Sequence, residues 1–256
     1  MNEKLRFETH ADGIAVVTFN RPEAHNALDL DTMHAFAATI QRLHTLPDTR
    51  VVILTGAGDQ AFCSGGDLTE LSQHPSAEAG EAMSRLMGEA LLALEQLPCP
   101  VIAAINGYAL GGGSEIALAC DLRIVDEKAR LGLVHIKLGL IPGWGAGQRV
   151  LRLVGYSRAM EILLRGRPMH VHDLTTLGLV NDVVAAGTAL EHALNFARHI
   201  AEASPDVVRA IKTLLRAGLH QPYHTALQTE HDLFPALWAA EPHLQAVENF
   251  LRSRKQ

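Results

Sequence analysis

The spacing of apolar and polar residues divides the chain into two parts. In the first part, short apolar runs alternate with stretches of helical spacing, and in the second part helical spacing dominates. The apolar runs are rich in β-branched residues, as is typical of buried parallel strands, and lie at residues 50–55, 100–105 and 122–125. The clearest helical stripe is predicted within residues 81–97 and consists of Met83, Leu86, Met87, Ala90, Leu91 and Leu94.

The helical part of the chain begins near residue 148. Helices are predicted for residues 148–153, 156–164, 188–203, 206–217, 223–239 and 242–252. Only residues 179–184 interrupt this series, with a pattern typical of a strand. Because these helices are too many for the faces of one sheet, the last of them are expected to pack elsewhere on the domain or on another subunit.

Turn and capping residues locate the first elements of the chain. Leu5–Thr9 and Ile14–Phe19 flank an Ala-Asp-Gly turn and therefore predict a β-hairpin. After a loop, either Asp29 or Asp31 can cap a helix that runs to about Leu46.

Strands that alternate with helices predict an α/β fold in which helices cover a mostly parallel sheet. Residues 73–80 are small and polar and are predicted to be the least structured stretch of the first half. We divide the chain at the change of pattern into a core of residues 1–190 and a helical region of residues 191–256.

Composition narrows the function classes. The 256 residues include 22 basic and 28 acidic side chains, a formal net charge of −6, and no basic run that would follow nucleic-acid phosphates. No apolar stretch is long enough for a membrane span, and the charged Met1–Thr9 is unlike a signal peptide. Cys63, Cys99 and Cys120 lack paired spacing. The sequence therefore predicts a cytoplasmic protein with reduced thiols.

Two glycine-rich corners each follow a predicted strand and precede a helix. The first glycine corner is Ser64–Asp67 and the second is Gly111–Glu115. Loops at the ends of parallel strands meet on one side of a sheet, so two backbone N–H groups can converge on one oxygen. Such an oxyanion hole is worth about 3–4 kcal/mol per donor. A tight strand-to-helix turn is the plainer alternative, and neither corner has the G-x-G-x-x-G spacing of a dinucleotide site.

Six stretches of the chain, in order, resemble the crotonase, or enoyl-CoA hydratase/isomerase, superfamily. They are Asn20–Leu28 (NRPEAHNAL), Ala61–Leu68 (AFCSGGDL), Pro100–Glu115 (PVIAAINGYALGGGSE), Cys120-Asp121, Leu138–Arg149 (LGLIPGWGAGQR) and Glu248–Lys255 (ENFLRSRK). The resemblance implies a crotonase-like spiral of ββα units and a C-terminal helical region for trimerisation and active-site cover. Homo-trimers, commonly paired into hexamers, would bind acyl-CoA thioesters and stabilise an enolate. Coenzyme A is part of the substrate, and neither a metal nor another cofactor is implied.

The resemblance assigns roles to individual positions. The N–H groups of Gly66 and Gly112 would form the oxyanion hole, and Glu115 would orient and activate the water that adds to the β-carbon. The positions assigned to substrate and CoA binding are Ala24, Asn26, Gly66, Asp67, Leu68, Thr69, Gly112 and Trp144. Asp67 is also expected to cap a helix and not to act in catalysis. Trp144 is expected either to shape the rim of the acyl pocket or to pack in the core.

One position departs from the pattern of the family hydratases. Their second catalytic glutamate precedes the Gly-x-Ile-Pro-Gly turn, and the aligned residue here is His135. A histidine can be an acid or a base near neutral pH, so His135 is either the second catalytic group or inert. The leading hypothesis is a hydratase-like lyase that adds water to 2-enoyl-CoA. The alternatives are decarboxylation or hydrolysis of an acyl-CoA thioester, and a non-catalytic acyl-CoA binder.

Overall fold

The computed structural model describes residues 4–254, which contain ten strands and eleven α-helices. Lys255, at the end of the C-terminal motif, lies outside the described residues. The strands are β1 (Leu5–Thr9), β2 (Ile14–Phe19), β3 (Val51–Gly56), β4 (Ala61–Cys63), β5 (Val101–Ile105), β6 (Tyr108–Leu110), β7 (Leu122–Asp126), β8 (Arg130–Gly132), β9 (Met169–His170) and β10 (Asp182–Val184).

The helices account for most of the remaining chain. They are α1 (Leu30–His44), α2 (Leu68–Leu71), α3 (Ala77–Gln96), α4 (Gly112–Ala119), α5 (Ala146–Val154), α6 (Tyr156–Arg165), α7 (Val171–Thr176), α8 (Ala189–Glu202), α9 (Pro205–His220), α10 (Tyr223–Trp238) and α11 (Glu241–Ser253). Short 3₁₀ helices lie at Pro22–Ala24 and His135–Leu138.

The strands form two sheets. The larger has the order β1-β2-β3-β5-β7-β10 and is parallel apart from the β1–β2 hairpin. The smaller has the order β4-β6-β8-β9, with β4, β6 and β8 parallel. The chain passes from the larger sheet to the smaller at β3–β4, β5–β6 and β7–β8, so each repeat supplies one strand to each sheet. This arrangement confirms the predicted α/β fold.

Both faces of the larger sheet are covered. The main core lies on one face, where the buried stripe Met87, Ala90, Leu91 and Leu94 of α3 packs with residues of α1 and α4. On the other face, three alanines of α8 pack against strand residues such as Ile53 and Ile102. Alanines allow the helix backbone to lie close to the sheet, and α8 is therefore part of the packed core.

The structure differs from the predictions mainly in short elements. Helix α3 begins at Ala77, where the Ser76 hydroxyl accepts a hydrogen bond from the Ala79 N–H, so the polar stretch 73–80 is partly helical. Strands β4 and β6, of three residues each, were not predicted, and the glycine corners follow these strands and not, as expected, the predicted strands β3 and β5. Three residues are too few to show a periodic pattern.

Asp29, and not Asp31, caps α1. Its carboxylate accepts hydrogen bonds from the Thr32 N–H at 2.8 Å and from Lys4 Nζ at 2.8 Å. Burial alone would raise the pKa of Asp29, but these bonds and the nearby Arg21 charge outweigh burial and lower the pKa to about 2.

We expect Asp29→Asn to be less stable than the native chain by about 2 kcal/mol near neutral pH. Because the folded-state pKa is depressed, this stabilisation is complete above the unfolded pKa of about 4 and is lost as the pH falls to about 2. Urea unfolding at a series of pH values measures the difference. Asp31→Asn, at an exposed position, is the matched control and should change the free energy of unfolding little at every pH. A loss of stability in Asp29→Asn that does not depend on pH would contradict the prediction.

Candidate active site

The first glycine corner links β4 to α2. Gly65 has φ +99°, and a Cβ there would lie 2.9 Å from Leu110 O and 3.0 Å from the Gly112 nitrogen. The second glycine corner therefore lies directly against the first, and only glycine fits between them. The two corners begin at the carboxyl ends of β4 and β6. These ends lie on the same side of the smaller sheet because β4 and β6 are parallel neighbours.

The two backbone donors expected from the sequence are both available. Gly112 is the first residue of α4, where the N–H has no partner within the helix. At the first corner, Leu28 N–H donates to Gly65 O and Asp67 N–H donates to Leu28 O. The Gly66 N–H takes part in neither of these hydrogen bonds. Within residues 4–254, neither the Gly66 nor the Gly112 N–H donates to a protein acceptor. Two N–H groups without a protein acceptor among the described residues thus lie on adjoining corners.

Glu115 lies in the first turn of α4 and is only 1% exposed. Its Oε1 accepts a hydrogen bond from Gly143 N–H at 3.2 Å, and its Oε2 accepts from Trp144 N–H at 2.8 Å and Ala146 N–H at 3.0 Å. These donors belong to the turn Gly143–Ala146, called here the 143–146 turn. Backbone groups thus fix the carboxylate in one orientation.

His135 opens the 3₁₀ helix before this turn and lies beside Glu115. Its Nε2 is 3.1 Å from Glu115 Oε1, while its Nδ1 is buried without a hydrogen-bond partner in the described structure. The contact assigns the Nε2 proton as the one donated to the carboxylate. A carboxylate offers about four acceptor positions. His135 therefore occupies the position that the 143–146 turn leaves open.

Trp144 is 5% exposed, and its indole packs on Gly112. A Cβ at Gly112 would lie 2.1 Å from Trp144 Cζ3, so the ring occupies the space that a side chain would need. The structure thus connects Gly112, Trp144, Glu115 and His135 by direct contacts, and Gly66 follows Gly65, which adjoins Gly112.

The Asn26 side chain is buried and hydrogen-bonded within the protein. It is 1% exposed with φ +56°, its Oδ1 accepts from Arg21 N–H at 2.9 Å, and its amide donates to Ala57 O and Ala61 O. The side chain therefore holds the loop 20–28 against the end of β3 and the start of β4. Ala24 lies at the half-buried surface of the same loop, and the CoA contacts expected for Ala24 and Asn26 stay predictions.

Arg21 is a structural contributor that sequence reasoning missed. Its guanidinium donates to Ala27 O at 2.9 Å and to Asp67 Oδ2 at 3.0 Å, and so ties the N-terminal loop to the first corner. Asp67 Oδ1 accepts from Thr69 N–H at 3.1 Å, which confirms Asp67 as a helix cap. Leu68 and Thr69 are exposed beside it. The available signal for Arg21 was its place in the Asn-Arg-Pro start of the loop motif.

Other polar groups near the corners serve the fold. Ser114 Oγ lies 2.6 Å from Ala109 O and accepts from Gly132 N–H at 3.0 Å, so its hydroxyl is fully engaged. Burial raises the pKa of the Cys63 thiol to about 12, which removes it as a nucleophile. Across residues 4–254, no three His, Cys, Asp or Glu side chains are placed to hold a metal ion. None of the helices described is long and apolar enough to cross a membrane.

Paired corners between two parallel sheets, with a buried carboxylate one helical turn away, are the architecture of the crotonase fold. The sequence matches the enoyl-CoA hydratase/isomerase family over residues 9–256. The chain therefore belongs to this family and is an enzyme on the crotonase fold.

Individual relatives agree with this assignment. The chain is 36% identical to the short-chain-enoyl-CoA hydratase of Clostridium acetobutylicum, over 94% of this chain and 92% of that protein. It is 33% identical to the ethylmalonyl-CoA decarboxylase of Xenopus laevis, over 92% of this chain and 79% of that protein. The crystal structure of the enoyl-CoA hydratase from Bacillus anthracis superposes with a TM-score of 0.92 at 36% identity, over 98% of this chain and 96% of that chain.

Proposed function

We propose that this protein is an enoyl-CoA hydratase-like lyase that adds water to the double bond of 2-enoyl-CoA thioesters. The observation that carries the proposal is the buried carboxylate of Glu115, one helical turn after Gly112, beside adjoining corners whose Gly66 and Gly112 N–H groups have no acceptor within residues 4–254. Addition of water to the β-carbon builds negative charge on the thioester oxygen. Fixed N–H donors stabilise that charge without reorganising at the moment of reaction.

The proposed steps conserve atoms and protons. Water attacks the β-carbon, its oxygen forms the new C–O bond, and the electron pair of the double bond moves into an enolate held by the Gly66 and Gly112 N–H groups. Because the His135 Nε2–H fills the last acceptor position of Glu115, the attacking water must displace it from Oε1. Water then gives one proton to the Glu115 carboxylate, the α-carbon gains one proton from the Glu115–His135 pair, and the pair returns to its starting protonation state.

The remaining assignments are proposals of the same kind. Ala24, Leu68 and Thr69 are placed along the CoA moiety, which belongs to the substrate, and no further cofactor is invoked. For oligomerisation, α10 and α11 bury none of their residues in the described chain and expose Phe234, Trp238, Phe250 and Leu251. An apolar surface of this kind favours self-association, and we propose a homo-trimer or a hexamer of two trimers. The division at residue 190 and the cytoplasmic location remain predictions.

A second candidate is decarboxylation of a malonyl-type thioester on the same site. The contact that favours it is His135 on the last open acceptor position of Glu115, where a hydratase would place its water. Loss of carbon dioxide produces the same enolate without water, and one relative is named a decarboxylase.

Turnover of a panel of CoA thioesters tests the proposal. We expect the native protein to hydrate crotonyl-CoA. The reaction is measured as the loss of absorbance of the conjugated thioester. If the protein turns over only malonyl-type thioesters and releases carbon dioxide, it is a decarboxylase and not a hydratase. Release of free CoA alone would indicate a hydrolase, and binding without turnover would leave an acyl-CoA binder.

We expect His135→Glu to retain or raise kcat for crotonyl-CoA hydration. A second carboxylate beside Glu115 accepts a hydrogen bond from water, whereas the His135 Nε2–H now donates to Glu115. The exposed His172→Glu is the matched control and should leave kcat unchanged. A drop of more than about tenfold in His135→Glu alone would instead show that the imidazole itself is required.

A further inference from the structure

The backbone of Trp144 is held from three sides. Its N–H donates to Glu115 Oε2 on α4, and its carbonyl accepts from the Arg149 guanidinium on α5 at 2.6 Å. The preceding Gly143 carbonyl accepts from Ser84 Oγ on α3 at 2.6 Å. Arg149 is itself held by Glu95 at 2.7 Å. The residue that carries the indole therefore has little freedom to move.

The indole of Trp144 is equally confined. Three of its ring carbons lie within 2.9 Å of the place where a Gly112 side chain would begin. Trp144 as a residue is 5% exposed, and packed interiors leave no space for such a side chain to change rotamer. Trp144 thus touches both ends of the proposed chemistry, the oxyanion donor through its ring and Glu115 through its N–H.

We infer that the indole of Trp144 is the end wall of the acyl site and restricts the substrate to short-chain 2-enoyl thioesters. This inference rests on the proposed function. The proposed chemistry places the reacting carbons between Glu115 and the glycine N–H groups, and the inference directs a longer chain toward the ring that packs on Gly112. Because the ring cannot move aside, each further methylene meets it.

Removing the indole should open the site. Surroundings relax only partly around a truncated buried side chain, and the apolar cavity that remains can bind apolar ligands. The Trp144→Ala variant keeps the backbone N–H that binds Glu115, so the catalytic carboxylate stays in place. Each methylene that enters the cavity should favour a longer substrate by about fourfold.

The test compares crotonyl-CoA with decenoyl-CoA in native protein and Trp144→Ala. We expect the native protein to prefer crotonyl-CoA, and the variant to raise the decenoyl-to-crotonyl ratio of kcat/KM by at least about tenfold. The saturated butyryl-CoA and decanoyl-CoA are titrated in parallel for Kd, which needs no turnover. If neither protein hydrates crotonyl-CoA but Trp144→Ala shifts the Kd ratio of decanoyl-CoA to butyryl-CoA, the proposed function is wrong and the end-wall inference stands. If Trp144→Ala changes neither the Kd ratio nor the kcat/KM ratio, the end-wall inference is wrong, whether or not hydration occurs.

Two further variants control for loss of folding. Trp144→Phe keeps an aromatic ring of smaller size and should give a ratio between those of the native protein and the alanine variant. Ile40→Ala truncates a fully buried residue of α1 and should lower the melting temperature without changing either ratio. A shift of the same size in Ile40→Ala would show that general loosening, and not the end wall, sets chain length.

Discussion

Replacing Glu115 with glutamine should lower kcat for crotonyl-CoA hydration by about a thousandfold. The amide cannot take the proton that water loses, and it cannot return one to the α-carbon. The donors around it make the change more severe. One oxygen of the native carboxylate faces Gly143 N–H and His135, and the other faces Trp144 and Ala146 N–H.

Whichever way the glutamine amide turns, its NH₂ group meets a hydrogen-bond donor. We therefore expect a loss of about 1–3 kcal/mol in the free energy of unfolding besides the loss of rate. Urea unfolding and the Kd of butyryl-CoA separate the two effects, because the glycine N–H groups remain to bind the thioester oxygen. Glu161→Gln, at an exposed ion pair on α6, is the control with native kinetics. Hydration at the native rate in Glu115→Gln would falsify the proposed function.

The second large effect is expected at Gly113, the second residue of α4. A Cβ there would lie 1.9 Å from the Cys63 carbonyl oxygen and 2.7 Å from its carbon, both backbone atoms of β4. The contact can be relieved only if α4 and β4 separate, which pulls the two glycine corners apart. Gly113→Ala should lose about 3 kcal/mol of stability or more, and hydration with it.

Gly88→Ala in α3 is the matched control for this substitution. Gly88 is also helical, but no atom lies within 4 Å of the place of its Cβ. The alanine variant should be more stable by about 0.5 kcal/mol, because alanine restricts the unfolded chain. Thermal unfolding of the two variants side by side measures the contrast. Equal melting temperatures would show that β4 and α4 are not in rigid contact.

The elements that could be predicted from the sequence are those long enough to carry a pattern. The hairpin of β1 and β2 and the buried strands β3, β5 and β7 each have five or six residues. The smaller sheet carries both glycine corners, yet its strands have two or three residues and leave no periodic signal. The helical pattern after residue 190 likewise concealed that α8 packs on the sheet, since its small alanines resemble those of an exposed helix.

At the site, the local features were predictable and the long-range contacts were not. Glycine corners and Glu115 lie within short motifs, so their chemistry could be proposed from residue types. The hydrogen bonds between Glu115 and the 143–146 turn join residues about thirty positions apart and depend on the packing of α4 against α5. The use of the Asn26 side chain within the protein also depends on where β3 ends and β4 begins.

The way in which Glu115 is held has a consequence for how such a site can diversify. All its contacts to the 143–146 turn come from peptide N–H groups, which every amino acid except proline supplies. At Trp144 the carboxylate is therefore held by a peptide N–H that does not depend on the side chain, whereas Gly145, at φ +101°, has no such freedom. Under the inference drawn above, the indole sets chain length and the peptide N–H fixes Glu115, so a single substitution at Trp144 would alter selectivity without disturbing proton transfer.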